Sequence, residues 1–184
     1  MLSNFFKRKP KKDKKNLDPG IDEQYLKFRN FIFELDSNKI VITDEQKALD
    51  IWGIMIDIGM PELRYSIVTL VDGTTSVYAG QGGGRIGFGE HPKIAKMSEA
   101  WLSVANNCVI EMKATKEFPL PPIGMVRFYE FQKDGKYMAD YPLEPLMQDN
   151  RRMEDIINSK DCFALLFRMG WTIITEIGII SAEL

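Results

Sequence analysis

Arg64-Tyr65-Ser66-Ile67-Val68-Thr69-Leu70-Val71-Asp72-Gly73-Thr74-Thr75-Ser76-Val77-Tyr78 holds two β-rich runs on either side of an Asp-Gly pair. Both turn residues tolerate positive φ, so a two-residue Asp72-Gly73 connection predicts a type I′ turn and an antiparallel hairpin. The device recurs downstream, where Met125–Gln132 and Lys136–Tyr141 flank a turn around Asp134-Gly135. Two such hairpins predict a single antiparallel sheet.

A helix separates the hairpins. Pro92 suits its first turn, and Ile94, Met97, Trp101, Val104, Cys108 and Met112 recur at three-to-four spacing. Cys108 belongs to that stripe and reads as core. Upstream, Asp22–Leu35 predicts a helix opened by acidic residues, with Leu26, Phe28, Phe31, Ile32 and Leu35 on its apolar face. A second upstream helix is expected from Thr43, because Thr43-Asp44-Glu45-Gln46 matches a capping box. It would run through Leu49, Ile51, Trp52, Ile54, Met55 and Ile58 to Gly59 as C′, with Pro61 beyond. That segment is apolar almost all round, which implies cover on more than one side.

Downstream, Pro119-Leu120-Pro121-Pro122 fixes an extended approach to the second hairpin. It also fits a PxxP ligand, though a rigid connector is the simpler role. Further helices are expected over 150–158 and from Asp161 to about Ile177, with Ile177–Ile180 open to helix or strand. The fold class is therefore α+β: an antiparallel sheet of two β-hairpins with helices packed on it in two or three layers. Residues 1–20 read as a disordered basic tail and 21–184 as one domain.

The charge is unevenly spread. Residues 1–17 carry seven Lys/Arg and one acid, whereas the other 167 carry 17 basic and 25 acidic side chains. An acidic body argues against nucleic acid as its partner. The tail is a solvated extension, a contact for an anionic membrane surface with Leu2, Phe5 and Phe6 ahead of its lysines, or an arm for RNA or a protein partner. The two cysteines fit neither a zinc pattern nor a disulfide framework. Together these features predict a cytoplasmic protein, peripheral at the membrane in the variant reading. No motif calls for a cofactor or a metal.

Gly80-Gln81-Gly82-Gly83-Gly84-Arg85-Ile86-Gly87-Phe88-Gly89 is the unusual segment. Gly82, Gly84 and Gly87 satisfy G-x-G-x-x-G, but the strand before them is a hairpin arm, not the opening of a β-α-β unit. Two roles stay open. The glycines permit a bulge or close backbone packing, or the loop cradles an anion at a helix N-terminus. In the second case Gln81, Gly82, Gly83, Gly84, Arg85 and His91 would bind it. Glu90-His91 is a weaker acid/base candidate. The aromatics Phe128, Tyr129, Phe131, Tyr137 and Tyr141, joined by Phe118, mark the second hairpin as a possible association face.

The runs Trp52–Gly59, Asp72–Tyr78, Gly82–Gly87 and Val126–Tyr129 resemble a group of uncharacterised bacterial proteins. The element order is similar to roadblock and other profilin-like domains, where helices and antiparallel strands surround one sheet. That resemblance implies a dimerising or scaffolding module, in that family often associated with small GTPases. The chain departs from it in reading as four strands against the family's five, and in its glycine loop. The expected function is thus a non-enzymatic interaction or regulatory module that self-associates through a sheet edge or a helix. A small-anion binder or enzyme built on Gly80–Gly89 is the alternative.

Overall fold

The computed structural model of the chain describes residues 20–36, 40, 43 and 49–183. The tail of 1–19 lies outside them. The seven strands are β1 (Ile51–Gly59), β2 (Arg64–Leu70), β3 (Thr75–Ala79), β4 (Gly84–Arg85), β5 (Lys113–Ala114), β6 (Met125–Gln132) and β7 (Gly135–Pro142). They form one antiparallel sheet in the order β4-β3-β2-β1-β6-β7-β5. The helices among the described residues are α1 (Glu23–Glu34), α2 (Pro92–Ala105), α3 (Leu143–Gln148), α4 (Met153–Ser159) and α5 (Cys162–Glu183).

The principal correction concerns the segment read as a helix from Thr43. Ile51–Gly59 is instead the central strand, paired with β2 on one side and β6 on the other. Asp44, Glu45 and Gln46 of the expected capping box lie outside the described residues. All nine residues of β1 are buried. A strand covered on both faces has no period-two polarity to betray it, and an all-round apolar run is equally compatible with a buried helix. Here the β-branched isoleucines decide for the strand. Register shifts between Ile51 and Gly53, leaving Trp52 as the extra residue of a bulge. The bulge puts Ile51 on the same face as Ile54, Ile56 and Ile58, and Trp52 with Met55 on the other.

Helices cover both faces. The isoleucines of β1 meet α2 to α5 through Ile94, Trp101, Leu166, Phe167 and Ile173. On the opposite face α1 packs Tyr25, Ile32 and Phe33 against Trp52, Met55, Val68, Tyr129 and Phe131. The arrangement has three layers, with α1 the only helix on one side among the described residues. Asp22 caps α1, its carboxylate accepting from the amides of Gln24 and Tyr25.

Both hairpins fall where expected, with different turn chemistry. In the first, Gly73 N–H donates to Leu70 O at 3.0 Å and only Gly73 takes positive φ, +88°. That is a tight turn completed by a left-handed glycine rather than type I′. In the second, Gln132 pairs with Gly135, so the turn is Lys133-Asp134, one residue earlier than expected, and neither residue has positive φ. The stripe after Pro92 leaves the helix at Ala105; Cys108 and Met112 reach the core from the turns that follow. The helix expected over 150–158 is α4, preceded by the unanticipated α3, and α5 carries the last residues through Glu183 as helix.

Candidate functional site

The glycine segment is a reversal at the edge of the sheet. Ala79 N–H donates to Gly83 O and Gly82 N–H to Ala79 O, and β4 then pairs briefly with Val77 and Tyr78. Gly82, Gly83 and Gly87 have positive φ of +101°, +85° and +83°. A side chain at Gly80 would strike Arg64, and one at Gly84 or Gly89 would strike the backbone of Val77 or Gly73. Each glycine named thus has a reason in backbone conformation or close approach. Gln81 spends its amide on Glu62 O at 2.6 Å. Arg85 and His91 are exposed, and His91 precedes α2 without capping it through its side chain. Gln81 is therefore drawn to the β1–β2 turn, while Arg85 lies on the edge strand and His91 at the helix start.

The densest polar chemistry lies elsewhere, under α1. Asp57 Oδ2 pairs with Arg29 at 2.7 Å, and both side chains are at most 2 % exposed. Ser66 donates to Asp57 Oδ1 at 2.5 Å, and Tyr25 bonds Ser66 at 2.9 Å. Burial by itself would depress the Arg29 guanidinium; the adjacent Asp57 carboxylate more than offsets it and holds the group above its ordinary value. Burial, then Asp57, pushes Tyr25 well up and Tyr129 up to about 12.

This layer fastens the proline run. Arg29 donates to the carbonyls of Phe118 and Pro119, Arg127 to those of Pro119 and Leu120, and Arg64 to that of Pro121. Arg127 is itself forked onto Asp140 at 2.6 and 2.7 Å. Prolines carry no N–H, so the segment's carbonyls are what need partners, and guanidinium forks supply several at once. Tyr129 adds a 2.7 Å bond to Pro119 O, and Phe118 stacks on Phe33 at 4.3 Å. The connector reading of Pro119–Pro122 fits this geometry. Chemically the Tyr25–Ser66–Asp57–Arg29 chain resembles a proton relay, but its members are enclosed, so it clamps α1 to the central strand.

A second buried acid, Glu130, sits on the other face. Its Oε2 accepts from Gln132 at 3.3 Å and its Oε1 has no partner among the described residues. Burial pushes its carboxyl up to about 8, the Gln132 bond holding it down only in part. Cys108 and Cys162 face each other nearby, and burial raises both thiols. Elevated, covered thiols are poor nucleophiles.

The expected association face of the second hairpin is a correction: Phe128, Tyr129 and Phe131 are fully buried, and Tyr137 and Tyr141 half-buried. A strand between two helical layers has no free face. Open concavities of about 400 and 280 Å³ flank the Lys133-Asp134 turn, the first lined by Asp50, Val109 and Tyr137 and the second by Leu35, Trp52 and Lys136. Among the described residues no group of three or more His, Cys, Asp or Glu is placed to hold a metal.

No family model, curated protein or solved structure matches the chain. Its functional reading therefore rests on its own geometry. Arg29, Asp57, Arg64, Arg127 and Glu130 were not singled out as a group by sequence. A signal existed for one pair: Asp57 is the lone charge in the apolar run 51–59, and Arg29 interrupts the apolar side of α1.

Proposed function

We propose that this chain is a non-enzymatic interaction module that self-associates through the outward side of α5. The observation that carries the reading is the character of that helix. The most apolar 18-residue window of Cys162–Ala182 has a mean hydropathy of 1.6, yet only 33 % of it is buried. Its inner side, with Leu166, Phe167, Gly170, Ile173 and Ile177, completes the core, and Gly170 abuts Trp101. Its outer side exposes Thr172, Thr175, Gly178, Ile179 and Ala182.

Among the described residues the exposed positions of this helix carry no charge. Thr172 and Thr175 donate their hydroxyls to Arg168 O and Trp171 O, at 2.7 and 3.0 Å, so they turn methyls outward. Glu176 is tied to Lys93 at 2.6 Å, and Arg168 to the carbonyls of Asp149 and Arg151. A charge-free strip of small residues suits close helix–helix approach, and a second copy about a two-fold axis supplies an identical surface. The sheet edges are less suited, because β4 and β5 are two residues each. A roadblock- or profilin-like dimerising module would share the plan of helices around one antiparallel sheet, although this sheet has seven strands against that family's five.

Sedimentation velocity of the full chain over a wide concentration range tests the reading. A dimer is expected, converted to monomer by Thr175→Arg or Ile179→Asp without loss of the folded circular-dichroism spectrum. A monomer at the highest concentration, or a dimer indifferent to both substitutions, rules it out.

A further inference from the structure

A second surface stands at the end of the sheet where β1 and β3 finish and β2 and β6 begin. We propose that this end sits on an anionic lipid bilayer, held there by the basic segment 1–17. The proposal is independent of α5.

The segment supplies the attraction. Its Lys7, Arg8, Lys9, Lys11, Lys12, Lys14 and Lys15 face a single acid, Asp13, and Leu2, Phe5 and Phe6 precede them. Clustered cations next to large apolar side chains bind anionic headgroups and insert shallowly; either contribution alone gives only marginal anchoring.

Asp22 N–H donates to Gly80 O at 2.7 Å, so the chain enters the described residues at the β3–β4 reversal, on this same end. Two large apolar side chains project there from neighbouring turns, Leu63 at 41 % and Ile123 at 57 % exposure. They flank the end of β1: Met60 N–H donates to Leu63 O at 2.9 Å, and Gly124 N–H to Gly59 O at 2.7 Å. The remaining 167 residues carry eight more acidic than basic side chains, so an anionic surface repels most of the body and favours end-on contact. Glu62, exposed on the same turn, opposes the contact and gives a handle for strengthening it.

The test is co-sedimentation of the full chain with phosphatidylcholine vesicles, pure or containing about 30 % phosphatidylserine. Binding is expected on the mixed vesicles and not on the pure ones. Deleting residues 1–17 should weaken it by at least about 100-fold, since each cation near the surface contributes roughly fivefold. Leu63→Asp with Ile123→Asp should weaken it about tenfold with the segment intact. Glu62→Lys should strengthen it severalfold, a gain that misfolding cannot mimic. Equal binding to pure phosphatidylcholine, persistence after the deletion, or indifference to the Leu63, Ile123 and Glu62 changes would overturn the proposal. So would tighter binding to single-stranded RNA than to the charged vesicles, which would make the segment a nucleic-acid arm.

Discussion

Replacing Glu130 by Gln should flatten the pH dependence of this protein's stability. In the folded chain the carboxyl is fully buried and its pKa is raised from 4.5 to about 8. Below pH 4.5 it is protonated in both states and contributes no slope. Between 4.5 and 8 the folded state keeps a proton that the unfolded state has released, so stability falls as pH rises. The slope approaches about 1.4 kcal/mol per pH unit. Over that window the loss is at most about 5 kcal/mol, reduced by whatever water the site admits once charged. In urea, with m of about 2 kcal/mol/M, the unfolding midpoint should drop by up to ~2 M between pH 5 and 8.5. Glu130→Gln cannot ionise. Its midpoint should stay level across that range and exceed the wild type's at pH 8.5, although the buried amide left short of a partner costs about 1–3 kcal/mol at every pH. A wild-type midpoint unchanged from pH 5 to 8.5, or a slope that survives in Glu130→Gln, would show that this carboxyl is not held neutral by burial.

Two further outcomes bear on the layers of the fold. Asp57→Ala leaves the Arg29 guanidinium buried and unpaired, so it should cost about 3–5 kcal/mol in urea unfolding, while Asp57→Ala combined with Arg29→Met should recover most of that. Additive losses in the double variant would contradict the clamp described for α1. Gly89→Ala forces a methyl into the Gly73 carbonyl and should lower the thermal midpoint markedly, whereas Arg85→Ala, on an exposed edge, should shift it little. The reverse ranking would place the importance of the glycine segment in its cation rather than its packing.

The sequence was most legible where local chemistry and tertiary role agreed. The acidic opening of α1, Pro92 starting a helix, and the Asp-Gly neighbourhoods of both hairpins each announce themselves within a few residues. Ile51–Gly59 was misread because burial on both faces erases the alternation that identifies a strand, and because Gly59 and Pro61 imitate a helix end as readily as a strand end. β4 and β5 are too short to leave any pattern, and they exist only because β3 and β7 offer them partners. The clamp under α1 joins Arg29, Asp57 and Pro119, which lie far apart in sequence, so no spacing could reveal it. Of the glycine segment, the sequence left backbone packing and an anion cradle both open; that Gly84 and Gly89 face backbone on other strands and turns required the fold.

Self-association through α5 is tested most directly by a distance between copies. In a Cys108→Ser, Cys162→Ser background, a nitroxide at Lys96→Cys, exposed on the neighbouring α2 and off the strip, reports that distance by pulsed electron resonance. Packed helix axes lie 8–10 Å apart, and three such spacings separate the two α2 helices across a contact between α5 helices, so a defined distribution at or below about 40 Å is predicted. No measurable dipolar coupling at concentrations where the chain sediments as a dimer would show that the copies meet on some other surface.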